Sequence, residues 1–168
     1  MSPLRAWSER APDEAALFNP AFLAAVLNKA AAGYHRETGK ALPFALAFLV
    51  PPIVLVRPTR QALPRQIRTS MAAWLQQHPR YRLRFAGLAG GFVPYVREGV
   101  LYGTSAGGLE LTADGSVAAN ALAAGTARRI RDATDEYGDI MKKAEFVGRW
   151  FGRSGTADTV MALWGVRP

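Results

Sequence analysis

The chain has 168 residues and 18.2 kDa, 49% of them hydrophobic and 20% charged, which suits one compact domain with or without an appended segment. It contains no cysteine, which excludes a disulfide framework, a thiolate nucleophile and a cysteine-built zinc or iron-sulfur site, and is compatible with a reducing cytoplasm. The formal charge of +8, from 21 Lys and Arg against 13 Asp and Glu, calls for an acidic partner, nucleic acid or an acidic protein face.

That excess is local. Thr38 to Arg97 holds no Asp or Glu, yet Lys40, Arg57, Arg60, Arg65, Arg68, Arg80, Arg82, Arg84 and Arg97 lie there. Removing those nine from the 21 leaves 12 basic residues against 13 acidic ones elsewhere.

Residues 1–18 read as an N-terminal arm, in which Arg5, Glu9 and Arg10 interrupt any apolar run of the kind a secretory signal needs. Asn19-Pro20 is a helix start, a capping side chain ahead of proline at the first helical position. The segment to Tyr34 then has only Asn28 and Lys29 as polar residues, so this helix should be central, ending at Thr38-Gly39. Ala41 to Val56 is 16 uncharged residues with Pro43, Pro51 and Pro52, shorter than the roughly 20 a membrane-spanning helix needs. It reads as buried core, either a helix broken at the paired prolines or an extended segment.

Pro64 is expected to open a helix carrying Ile67, Met71, Trp74, Leu75 and His78 on one face, which Pro79 ends. The basic stretch Arg80 to Leu88 leads to a break at Gly90-Gly91. A further helix is expected from Val93 to Tyr102, with Val93, Val96, Val100 and Leu101 inward. Alternation on either side of Asp114-Gly115 predicts a β-hairpin, Leu109 to Thr112 against Val117 to Ala119. Helix, glycine break and hairpin give a winged-helix-like closure. After an alanine-rich connection from Asn120 to Ala127, a helix is expected from Asp135 to Gly152. A short last helix follows Gly155-Thr156 and ends at Gly165. The fold class is thus mainly α (α+β), with an arm at 1–18, a helical winged-helix-like core at 19–120 and C-terminal helices at 121–168 that pack on the core and dock a partner.

Gly103-Thr-Ser-Ala-Gly107 has the G-x-S-x-G spacing of a nucleophile elbow, but that device needs a strand before the serine, a helix after it and a later histidine. Here a helix precedes Ser105, a strand follows, and both histidines, His35 and His78, lie upstream. Asp132, Asp135 or Glu136, and Asp139 could share a helical face, as a metal cluster or as an acidic first turn that complements the helix dipole and pairs with Lys142 and Lys143. No phosphate loop or dinucleotide fingerprint is present, and no cofactor is expected. On the last long helix Tyr137, Ile140, Met141, Val147, Gly148 and Phe151 fall within about 60° of Ala144 at 100° per residue. Lys142, Phe146, Arg149 and Arg153 take the opposite face, with Trp150 beside them. Aromatics next to cations suit a docking surface; the alternative is that Phe146 and Trp150 pack on a neighbouring segment of the same chain.

Several stretches in combination resemble the middle component of bacterial three-component ABC systems. They are Asn19-Pro-Ala-Phe22, the run from Leu42-Pro-Phe through Pro51-Pro-Ile to Arg57-Pro-Thr-Arg60, Leu63-Pro64, Ile67-Arg-Thr-Ser70, Trp74-Leu75 and Val93-Pro-Tyr-Val-Arg-Glu98. Lys142 to Arg153 and Leu163 to Pro168 complete the set. The resemblance implies a small subunit between an effector and an SMC/RecN-like ATPase, in anti-phage and anti-plasmid conflict systems such as Lamassu. It further implies a kleisin-like bridge without enzymatic activity, whereas Gly103 to Ala127 departs from the family pattern.

The sequence therefore reads as a cytoplasmic, non-enzymatic adaptor joining an SMC/RecN-like coiled-coil ABC ATPase to an effector, a nuclease or similar toxin, and meeting DNA through the complex, with no membrane contact. Arg57, Arg60, Arg65, Arg68, Arg80, Arg82 and Arg84 are expected on an anion-binding surface, and Phe146, Arg149, Trp150 and Arg153 at a protein-docking face. The alternative is a stand-alone winged-helix DNA-binding regulator.

Overall fold

The computed structural model describes residues 9–11, 18–122 and 134–167. In chain order the elements are α1 (Pro20–Thr38), β1 (Leu42–Pro43), α2 (Phe44–Ala47), α3 (Val50–Val54), α4 (Arg57–Ala62), α5 (Met71–Gln77) and α6 (Pro79–Ser105). The hairpin β2 (Leu109–Leu111) and β3 (Ser116–Ala119) follows, then α7 (Asp135–Arg153) and α8 (Ala157–Leu163). The three strands form one antiparallel sheet in the order β1-β3-β2. The chain is mainly helical, as its sequence predicts, and the expected residues 132 and 123–127 lie outside the described ones.

α1 starts where the sequence places it: the Asn19 carboxamide oxygen accepts from the Ala21 and Phe22 N–H groups, and Gly39, at φ 71°, ends the helix with its N–H on the His35 carbonyl. The helix is enclosed by α6 on one side and α7 on another. Small residues set both crossings. A Cβ on Gly148 would stand 1.9 Å from the Ala30 carbonyl oxygen, and one on Gly33 2.2 Å from that of Glu145. On the other side, a Cβ on Gly99 would meet Leu23 at 2.8 Å. The lone buried polar side chain of this helix, Asn28, donates to the carbonyls of Gly108 and Asn120 at 2.7 and 2.9 Å. It thereby fastens both ends of the hairpin to the core and satisfies its own amide.

Four boundaries differ from expectation. The break in the Pro43 to Val56 run falls at Phe48-Leu49, and Pro51 and Pro52 lie in the first turn of α3, where a missing N–H costs nothing. An unexpected short helix, α4, follows. Pro64 opens no helix: residues 63–70 are irregular, and α5 begins only at Met71, capped by the Ser70 hydroxyl. Pro79 does end that helix, but it also starts α6, which runs unbroken through Gly90, Gly91 and Pro94 for 27 residues. The Gly90 carbonyl, four residues before Pro94, has no helical donor there, and exposure of Gly90 lets water take that place. Phe85, Ala89, Phe92, Val96 and Val100 bury one face of α6, whereas Leu101 is 68% exposed and points away from the core.

The hairpin forms as predicted, with Gly115 at φ 75° in a three-residue turn. β1 pairs with β3 through Leu42 opposite Val117, a contact between distant segments that closes the sheet over α1.

The two crossings yield a paired test. Gly148→Ala should cost at least about 1–3 kcal/mol, because the added methyl meets a backbone oxygen that cannot rotate away. Gly138→Ala, one face round on α7 with nothing within 4 Å of its Cβ, should gain about 0.5–1 kcal/mol. Urea unfolding of both variants reads the difference.

Candidate functional site

The irregular segment 63–70 is held by two indoles. Trp74 donates its Nε1–H to the Ala62 carbonyl at 3.2 Å, and Trp150 donates to that of Thr69 at 2.7 Å. Trp74 also meets Trp150 edge-on at 5.6 Å and lies 6.1 Å from Trp164, which in turn packs 4.4 Å from Phe85. This aromatic cluster ties α5, α6, α7 and α8 together beneath a loop that carries Arg65 and Arg68 outward, both exposed.

Arg60 lies apart from the other expected surface cations. It is 2% exposed, and its guanidinium donates to Asp139 at 2.9 Å, to Glu136 at 2.7 Å and to the Val54 carbonyl at 2.7 Å. Thus Arg60 is no part of an anion-binding surface. The carboxylates weighed above as a metal cluster or a dipole-complementing turn have this more specific use: Glu136 and Asp139 neutralise a buried cation. Arg57, Arg80, Arg82 and Arg84 are exposed, and among the described residues no carboxylate lies within ion-pair distance of these or of Arg65 and Arg68. Arg80 instead donates to the Tyr81 phenol at 2.9 Å and sits 4.8 Å from that ring, while the phenol donates to the Pro58 carbonyl.

The face assigned to docking is largely used inside the chain. Trp150 is 1% exposed and belongs to the aromatic cluster. Arg149 and Arg153 both bind Glu37 at the end of α1, at 3.2 and 2.6 Å. Phe146 is half-buried with the Lys143 ammonium 5.6 Å from its ring centre. The Glu37 carboxyl is held below the ordinary carboxylate range, chiefly by its bond from Arg153 and, behind that, by Arg149.

Ser105 is the last residue of α6, and its hydroxyl turns back to the Tyr102 carbonyl at 2.9 Å. His78 caps the other end of the same helix, about 40 Å away at 1.5 Å per residue, so these two residues form no nucleophile-base pair. Among the described residues no group of three or more potential ligands gathers in metal-binding fashion, and no helix is long and apolar enough to cross a membrane.

Sequence reading missed Leu83, the most exposed large apolar residue among the described ones, at 84%. It stands between Arg82 and Arg84 with an apolar-lined cleft on either side. The spacing Phe85, Ala89, Phe92, Val96 would have placed it outward, 200° from Phe85, had Gly90-Gly91 not been taken as a break. At the other end of α6, Leu101 and Tyr102 are also exposed, as is Leu111 on the neighbouring β2.

Part of the N-terminal arm lies on α6. Arg10, almost fully buried, forks onto both Glu98 oxygens at 2.8 and 2.6 Å, and Phe18 stacks on Tyr95 at 4.0 Å.

Over residues 7–168 the chain matches a family model described as ABC-three component (ABC-3C) system Middle Component 3. Comparison with curated proteins and with solved structures gives no match.

Two outcomes follow from the α7 geometry. Trp150→Ala should lower stability by about 3–5 kcal/mol in denaturant titration, more than Phe146→Ala, since it empties a core site and strands the Thr69 carbonyl. Because the Glu37 pKa is depressed on folding, its contribution is full above the unfolded value and is lost as pH falls through the carboxylate range. Glu37→Gln should therefore flatten the fall of the melting midpoint below about pH 4 while lowering the midpoint at neutral pH.

Proposed function

The chain belongs to the Middle Component 3 family of ABC-three component systems, and from that membership we propose that it is the adaptor joining the other two components, an SMC/RecN-like coiled-coil ABC ATPase and an effector such as a nuclease. Membership makes it one part of a multi-component system, which fits an adaptor. The finer reading is carried by one observation. Leu83 and Leu101 are both exposed on α6, 18 residues and so five turns apart, on the same face and about 27 Å from one another. One rigid helix thus offers two separate apolar contact points, as a bridge between two partners requires. Phe146 and the outer edge of Arg153 are a third place on α7 where a partner could rest.

Family membership supports a multi-component setting; within it we propose an anti-phage or anti-plasmid assembly of the Lamassu kind, with DNA met through the whole complex. For the alternative, an independent winged-helix regulator, the hairpin would have to serve as a wing on phosphate. From Gly108 to Asn120 it carries Glu110 and Asp114 and no Lys or Arg. A carboxylate-bearing hairpin is repelled by a phosphate backbone, so the observation favours protein contact there.

The test is reconstitution. The full chain, tagged and expressed with the products of its two neighbouring genes, should elute as a three-part complex, and omitting it should separate the other two. Elution of the ATPase and effector together without this chain, or tight duplex binding by the chain alone with a steep salt dependence, would sink the adaptor reading.

A further inference from the structure

The N-terminal turns of α6 form an unusual surface. Leu83 projects as a ridge between two clefts. The first, about 560 Å³, is walled by Ala72, Leu75, Pro79 and Leu163 with Arg82 at its rim. The second, about 540 Å³, is walled by Val56, Pro58 and Leu88 with Arg80 and Arg84 at its rim. A single exposed leucine is ordinary, but an exposed leucine continuous with apolar clefts on both sides is not.

We propose that this surface docks an acidic amphipathic helix of a partner protein, Leu83 fitting between its apolar side chains, those side chains entering the two clefts, and its carboxylates meeting Arg80, Arg82 and Arg84. The inference rests on the adaptor reading and names one of the contacts it requires.

Charge complementarity commits the surface to an acidic occupant. The arginines stand in a stretch of sixty residues with no carboxylate, and among the described residues none of the three has an ion-pair partner. Apolar relief decides between the two acidic classes. A phosphate backbone has nothing to place in two apolar clefts and gains nothing from a leucine set between cations. An amphipathic helix has an apolar residue every third or fourth position to fill them and acidic flanks to face the rim. The site is also arranged in advance. The Tyr81 phenol reaches the Pro58 carbonyl at 3.2 Å and thereby links α6 to α4, while Arg80 is held against the same ring. Side chains already fixed lose less freedom on binding.

Leu83 separates the classes experimentally because a lysine there removes an apolar anchor while adding a cation. In the reconstituted complex, Leu83→Lys should weaken retention of one partner about tenfold or more, and Leu83→Met should leave it nearly unchanged. Arg82→Ala with Arg84→Ala should weaken the same contact and reduce its salt dependence. Since all three side chains are exposed, the variants should keep the wild-type melting midpoint. Binding of a fluorescent random-sequence duplex by Leu83→Lys should be unchanged or tighter. A wild-type complex that survives Leu83→Lys overturns the docking surface alone. Loss of duplex binding in the arginine variant with all partners retained overturns it in favour of nucleic acid. Failure of the wild-type chain to form any complex removes the adaptor reading and this inference with it.

Discussion

The architecture depends on how closely α1 and α7 approach. At Gly33, Ala30 and Gly148 the two backbones touch with no side chain between them, so a methyl group at either glycine would occupy the space of a carbonyl oxygen. Contacts at that range bring many atoms to van der Waals distance and leave no void between the helices. They also fix register. With α7 seated there, Glu145 reaches Arg36, Arg149 and Arg153 reach Glu37, and at the opposite end of α7 Glu136 and Asp139 reach Arg60. Trp150, near the C-terminal end of α7, is delivered to the Thr69 carbonyl by the same placement. One steric fit between small residues thus determines where the ion pairs, the aromatic cluster and the irregular loop can form.

That arrangement divides the charge. α7 supplies Arg149 and Arg153 to Glu37 and Glu145 to Arg36 on α1, and Glu136 and Asp139 to Arg60, so most of its charges are used within the chain. Among the described residues the exposed arginines of the loop before α5 and of early α6 have no carboxylate partner. Net charge alone does not distinguish an arginine that neutralises a neighbour from one that faces solvent, and the distinction matters for partners. An unpaired exposed guanidinium contributes to encounter and specificity, whereas Arg60, removed, would leave two carboxylates without their counter-ion. The acid-free stretch is best seen as one interior cation and a surrounding set of outward ones.

What the sequence revealed follows the range of the interaction involved. Local devices were legible: the Asn19-Pro20 cap, Gly39 after α1, the Asp114-Gly115 turn, and Thr156 before α8 all act within a few residues and all occur where read. Errors arose where tertiary contacts override local preference. Gly90, Gly91 and Pro94 weaken a helix intrinsically, but Phe85, Phe92, Val96 and Val100 bury one side of α6 along its length and hold it continuous. Pro64 is a favourable helix start, but the indole bonds on either side hold that segment irregular. For Trp150 the helical wheel placed it 120° from the buried centre, correctly, but α7 is covered on more than one side. No wheel shows that a second segment fills the flank. The burial of Arg60 and the pairing of β1 with β3 join residues some 75 positions apart and have no local signature.

The stretches that carry the family resemblance serve the scaffold. The run from Leu42 to Arg60 supplies Leu42, Leu46, Leu49, Val50, Ile53 and Val54 to the core and ends on the buried Arg60. Val93 to Glu98 supplies Tyr95 and Glu98, which receive Phe18 and Arg10 of the arm. Trp74 and the segment from Lys142 to Arg153 build the aromatic cluster and the seat on α1. The Arg-Leu-Arg ridge at residues 82–84 lies outside all of these stretches, as do Leu101, Tyr102 and Leu111. The quoted stretches thus contribute mainly side chains that hold the fold together, and the exposed Leu83 falls between them, although the family match itself runs through both, from residue 7 to 168. Because Arg82, Leu83 and Arg84 are exposed on α6 and take no part in the close approach of α1 and α7, changes confined to them leave that approach intact.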